Sequence, residues 1–205
     1  MNRTNKILFS ALLAGGSLAA QAQQLAFPDA QGWGRFAAGA RQGGAVYHVT
    51  NLNDSGSGSL RDAISQPNRF VVFDVAGVIN IKDRLVFKNN LYIAGQTAPG
   101  EGITVYGNGV SFSGADNIIV RHMRFRMGHK GSSGKDAAGI AYGQNMIFDH
   151  CSFSWGLDET FSINPDNKGK HPDYITISNC IMGQGLMPHS ACLLYTSPSP
   201  RDVEE

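Results

Sequence analysis

Little of this sequence carries charge, and neither sign dominates. Lys and Arg number 17 against 16 Asp and Glu, 16% of 205 residues, for a net charge of +1. That balance leaves no basic stripe, so nucleic acid is not an expected partner. Cysteine is scarcer, with three in the chain, too few for a disulfide framework. No stretch approaches the ~18 uninterrupted apolar residues of a membrane span, so no membrane partner is expected either. Helical periodicity is missing from every long stretch, which argues against an α or α/β fold.

What is present is a chain able to bury a core. Hydrophobic residues make up 42%, enough at this length for one domain. The 25 glycines follow no collagen-like period and read as turn residues between many short strands. At the start, Arg3 and Lys6 precede an apolar run from Ile7 to Ala20 and an Ala20-Gln21-Ala22 cleavage site. This is the pattern of a secretory signal peptide over residues 1–22. The remainder is expected to be a soluble monomer, secreted to the periplasm or outside the cell.

After a Gly-rich, aperiodic segment, AFPDAQGWGRFAAGARQGG, the run VYHVTNL alternates as a strand does. In DSGSGSLRDAISQP, Asp54 or Ser55 can cap one or two turns of helix over SLRDAIS before Pro67 stops it. From Arg69 the chain turns into short β-branched runs: FVVFDVAGVINI, RLVFKNNLYIAG, GITVYG, VSFSG, NIIVRHMRFRMG, NMIFDHCSFSW and YITISNCIM.

These runs repeat. NLYIAG starts at Asn90, NIIVRH at Asn117, NMIFDH at Asn145 and YITISN at Tyr174. A strand recurring at a nearly fixed interval, with loops of varying length between, predicts an all-β, right-handed, single-stranded parallel β-helix. Period-two alternation then sets Met123, Cys151 and Cys180 in one interior ladder and Phe125, Phe153 and Met182 in another. Cys151 and Cys180 are expected to act as buried thiols, without a disulfide. Asn90, Asn117 and Asn145 predict a polar ladder at a corner, satisfying turn backbone groups.

Function is expected where a coil is enlarged. Met127 to Ala138 is such a loop, with His129, Lys130, Lys135 and Asp136, and the next coil's corner carries Asp158 and Glu159. Equivalent points on stacked coils lie ~4.8 Å apart, so acids on neighbouring coils can share a hard cation. An acidic pair on a loop is also common as a merely solvated feature. His122 and His150 occupy one repeat position but lack a cysteine or third histidine at zinc-ligand spacing, and bonding to corner backbone explains the position equally well. Arg121 and Asp149, likewise stacked, predict a structural ion pair.

FPDAQGWGRFAAGARQGGAVYHVTNLNDSGSGSLRDAI, IAGQTAPGEGITV and IFDHCSFSWGLDETFSI together resemble secreted bacterial pectate lyases, over roughly Ala26 to Ser190. The resemblance implies β-elimination of α-1,4-polygalacturonate to 4,5-unsaturated products, with Ca2+ bridging acidic side chains and a uronate carboxylate. Asp136 matches the family's loop aspartate by its spacing of thirteen residues to Asp149. Asp158 or Glu159 matches the next acid, giving Asp136, Asp158 and Glu159 as metal ligands. Four residues beyond Asp158, where many members carry a carboxylate, stands Ser162. Lys135 and Arg126 are assigned to the polyanionic substrate.

The family's catalytic arginine has no match here and is expected on a later coil. The tail gives a reason: CLLYTSPSPRD from Cys192 to Asp202 reads as translated sequencing-adapter DNA. On that reading residues 23–191 are the N-terminal part of the β-helix, residues 192–205 are not native, and the chain is an inactive fragment. Two rivals remain: a polygalacturonan hydrolase, needing carboxylates spaced for acid and base work, and a non-catalytic polysaccharide-binding β-helix.

Overall fold

A computed structural model describes residues 23–132 and 134–186. The signal peptide and the adapter-like tail expected from the sequence lie outside the described residues. Fifteen strands are described: β1 Ala45–Val49, β2 Arg69–Phe73, β3 Gly77–Asn80, β4 Leu85–Val86, β5 Leu91–Ala94, β6 Ile103–Tyr106, β7 Val110–Ser111, β8 Ile118–Arg121, β9 Met123–Arg126, β10 Ala138–Ile140, β11 Gly143–Asp149, β12 Ser152–Ser154, β13 Phe161–Ile163, β14 Pro172–Ser178 and β15 Ile181–Gly183. They form three parallel sheets, ordered β1-β2-β5-β8-β11-β14, β3-β6-β9-β12-β15 and β4-β7-β10-β13. Four successive coils, from β2 to β13, each contribute one strand to each sheet, with β1 before them and β14 and β15 after, so the chain winds as a parallel β-helix.

Register carries the repeat into space. Leu91 pairs with Ile118, Ile118 with Met146 and Met146 with Ile175, the same steps by which the sequence repeat advances. Alternation sends one set of side chains inward: Leu91, Ile93, Val105, Phe112, Met123, Phe125, Phe148 and Phe153 are buried in a single core. Phe125 stacks on Phe153 at 5.1 Å, and Phe161 closes edge-on to Phe153 at 4.8 Å. Such pairs add ~1 kcal/mol each beyond area burial.

The interior ladders hold in register, with Phe153 opposite both Phe125 and Met182, but burial fades along them. Met123 and Cys151 are buried, Cys180 is half-buried and Met182 exposed, because β15 has no described neighbour on its far side. Cys151 and Cys180 are free thiols, and the Cys151 amide donates to Cys180 Sγ at 3.3 Å.

The corner asparagines have a different cause from the one expected. Asn68, Asn90, Asn117 and Asn145 all adopt φ between 56° and 60°, the left-handed region that asparagine tolerates better than most residues. The amides of the first three are linked, Asn117 donating to Asn90 at 3.1 Å and Asn90 to Asn68 at 2.9 Å, and the expected rung at Asn145 does not join them. The ladder thus begins one coil earlier than the sequence repeat indicated, and satisfies side chains rather than turn backbone.

Helix α1, Leu60–Ile64, forms where expected, but its cap is Ser59, whose hydroxyl accepts the Asp62 amide at 3.2 Å. Asp54 instead pairs with Arg61 at 2.6 Å. The Gly-rich segment before β1 lies across the outer face of the first sheet, packing Ala26, Ala30 and Ala37 over Ile119 and Ile147. Gly34 is required there, since a Cβ would sit 2.1 Å from the Met146 carbonyl.

Candidate metal centre

The acids meet at the corner between the second and third sheets. Asp136 ends the loop from β9 to β10, and Asp158 and Glu159 lie between β12 and β13. The β10–β13 register, Ala138 opposite Phe161, runs back through the Ala137 amide donating to the Glu159 carbonyl at 3.0 Å. Asp136 therefore stacks against Glu159. One carboxylate oxygen from each of Asp136, Asp158 and Glu159 lies within 4.8 Å of the others.

This crowding shifts a proton. A hydrogen bond to Asp136, then burial, then the charges of Asp136 and Asp158 push the Glu159 carboxyl up to about 7. The Glu159 amide also donates to Asp136 Oδ1 at 3.3 Å, and the Ser162 hydroxyl donates to Asp136 Oδ2. Asp158 Oδ1 is buried with no hydrogen-bond partner among the described residues. An orphaned buried oxygen beside two further carboxylates fits a hard, oxygen-seeking divalent cation.

Two residues that the sequence did not single out complete the corner. Arg84, immediately before β4, is half-buried; burial lowers its pKa and the Asp136 charge raises it, the first effect winning. Gly139 on β10 faces Ser162 on β13. A Cβ at Gly139 would meet Ser162 Oγ at 2.9 Å and both Arg84 Nη2 and Asp136 Oδ2 at 3.2 Å. The missing side chain keeps open a gap on which those three groups converge. Finding Arg84 from sequence required the register of β4, a strand of two residues with too few positions to show alternation.

The residues assigned to substrate are not drawn into this cluster. Lys135 is exposed next to Asp136. Arg126 lies on the outer face of the second sheet, donating to the Ser152 carbonyl at 3.1 Å and the Ser152 hydroxyl at 2.8 Å, with its guanidinium 5.9 Å from the Trp155 ring.

The second group of possible ligands is structural. His122 and His150 stack at 4.9 Å, both at left-handed corner positions with φ 55° and 53°. Asp149 takes Arg121 and His150 at 2.9 Å each, Asn179 at 3.0 Å and Ser178 at 3.1 Å. Burial pushes the Asp149 carboxyl up, but the bonds from Asn179, His150, Arg121 and Ser178 outweigh it and hold the group at about 2. The expected Arg121–Asp149 pair is present. The histidine side chain bonds a carboxylate rather than corner backbone, which corrects the sequence expectation.

The fold and this corner define a parallel β-helix protein with a cluster of three acids at one edge of its third sheet. Over 166 residues, 81% of the chain, it is 64% identical to a protein of Aspergillus oryzae named "Probable pectate lyase C". It is 61% identical over 178 residues, 85% of the chain, to the protein of that name in Aspergillus fumigatus. The chain spans only 38% and 41% of those proteins. No family model matches. Among solved structures it resembles jun a 1, the major allergen from cedar pollen, with a TM-score of 0.54 and 20% identity over 71% of this chain and 46% of that one. At that identity the likeness shows the fold. No helix among the described residues is long and apolar enough to cross a membrane.

Proposed function

We propose that this chain is the cation-binding part of a secreted, calcium-dependent pectate lyase acting on polygalacturonate. The observation that carries the reading is the convergence of Asp136, Asp158 and Glu159, with a buried unpartnered oxygen, in a β-helix whose relatives are named pectate lyases.

Asp136, Asp158 and Glu159 would hold Ca2+, leaving further positions of its six to eight oxygens for substrate and water. Bound there, the ion would neutralise a uronate carboxylate and so stabilise charge developing at the adjacent C5 as its proton leaves. Ser162 fixes the rotamer of Asp136 in place of the additional carboxylate that many members carry. Glu159 gives up its proton for the cluster to reach full charge. Lys135, exposed beside Asp136, would meet an incoming polyanion. The resemblance assigns the base to an arginine that this chain does not match, so the chain supplies the cation side of the reaction and elimination needs the longer protein. Monomeric state and export belong to the same proposal.

A hydrolase would instead use two of these carboxyls as acid and base on the glycosidic bond, releasing saturated products. The test is ultraviolet absorbance of unsaturated uronate released from polygalacturonate with Ca2+. The full-length parent should produce it, chelator or Asp136→Ala should abolish it, and this chain alone should not. Reducing sugar released from the parent without that absorbance would sink the lyase reading.

A further inference from the structure

The motif SGSLRDAI has no part in the cation cluster, yet one of its side chains fastens the turn that carries Arg84. Arg61 pairs with Asp54 at 2.6 Å, and its guanidinium also donates to the Asp83 carbonyl at 2.7 Å and the Arg84 carbonyl at 3.2 Å. The other Asp54 oxygen accepts the Lys82 amide at 3.2 Å. The turn from β3 to β4 is therefore fastened at three successive residues by a segment some twenty residues earlier in the chain.

Beyond that turn the Arg84 side chain runs along the third sheet. Its Nη2 donates to the Val110 carbonyl at 3.2 Å and reaches the gap over Gly139, where Asp136 Oδ2 and Ser162 Oγ also point. Nε is buried with no hydrogen-bond partner among the described residues. A half-buried guanidinium with an unsatisfied donor is costly to keep unless its charge is used. The charge it faces is that of Asp136.

We propose that Arg84 is the resident counter-cation of the Asp136–Asp158–Glu159 cluster, set in place by Arg61, and that it limits how tightly the cluster holds a divalent ion. This rests on the cation reading above. Three carboxylates and one guanidinium carry a formal charge of −2 when all are ionised, which one divalent ion cancels. Without Arg84 the fully ionised cluster would be an uncompensated trianion, harder to hold together and quicker to capture a cation. In this role Arg84 acts through its charge on the cluster.

The test is calorimetric titration of the full chain with CaCl2 at low ionic strength, comparing wild type with Arg84→Met, Arg84→Lys and Arg61→Ala, each checked for folding by circular dichroism. Arg84→Met should bind Ca2+ roughly 3- to 10-fold tighter, from the loss of one positive charge within several ångström of the site. Arg84→Lys, keeping the charge, should stay within about twofold of wild type. Arg61→Ala should shift affinity in the same direction as Arg84→Met but less, because the guanidinium is loosened and not removed. The difference should shrink as salt is raised. Melting in chelator should show Arg84→Met less stable than wild type, with Ca2+ narrowing the gap. A merely structural arginine would leave affinity unchanged or weaken it, and that result in a variant that folds, with wild type binding, overturns the role of Arg84 alone. Ca2+ binding by Arg84→Met but not by wild type would support it. No binding by either protein would overturn both this role and the cation reading.

Discussion

The Ser162 hydroxyl donates to the Asp136 carboxylate between neighbouring strands of the third sheet, from a position where β13 faces Gly139 of β10. Two coils thereby share one carboxylate rotamer, and the corner is ordered before any ion arrives. Ser162→Ala should cost about 1–2 kcal/mol of stability, as expected for a hydrogen bond to a charged group. It should also weaken Ca2+ binding several-fold, read by denaturant unfolding and by titration. Unchanged affinity would mean that Asp136 holds its position without the serine.

Glu159 predicts a pH dependence. Its folded carboxyl titrates at about 7, above the usual carboxylate range, so the folded chain without metal binds the proton more tightly than the unfolded chain. The sign follows: that contribution to stability is complete below about pH 4 and is lost as pH rises to about 7, by no more than ~1 kcal/mol for a group this accessible to solvent. A divalent ion must displace the proton. Affinity should therefore rise between pH 6 and 8, with proton release detectable by calorimetry in buffers of different ionisation enthalpy. Glu159→Gln should flatten that profile.

Asp149 predicts the opposite dependence at acid pH. Its carboxyl is held at about 2, so it contributes stability above the ordinary carboxylate range that is lost as pH falls from about 4 to 2, on the order of 2 kcal/mol. Asp149→Asn should cost roughly 3 kcal/mol, because it leaves the part-buried Arg121 guanidinium without its carboxylate. Acid unfolding followed by circular dichroism checks both. A mutant as stable as wild type would remove Asp149 from the structural role given to it.

Phe153 sits between Phe125, Phe148 and Phe161. Phe153→Ala should destabilise by ~3–5 kcal/mol, whereas Met182→Ala on β15, whose side chain is exposed, should cost well under 1 kcal/mol. Chemical denaturation of the two variants side by side tests whether burial falls off along the stack as described.

The first sheet was legible because its strands are long enough to repeat recognisably. NLYIAG, NIIVRH, NMIFDH and YITISN fall on β5, β8, β11 and β14 in the register their spacing predicts. The third sheet was not legible, since Leu85–Val86 and Val110–Ser111 offer two residues each and no period. With it were lost Arg84 and Gly139. Asp136, Asp158 and Glu159 could be named from sequence because each lies in a loop next to a recognisable strand. The helix cap was misplaced because Asp54 and Ser59 are both competent caps in isolation, and the tertiary partner Arg61 claims Asp54.

By itself the sequence determined the coil, through an apolar strand pattern recurring about once per turn, since parallel stacking buries such strands only in register. It also determined which acids reach the corner, because loops can be inserted without disturbing the stack. Only the tertiary structure decided that Glu159 keeps its proton to about pH 7, that Asp149 is saturated and structural, and that Arg84 faces Asp136 from two strands away. Those outcomes depend on charge, burial and distance between coils, which chain separation does not encode.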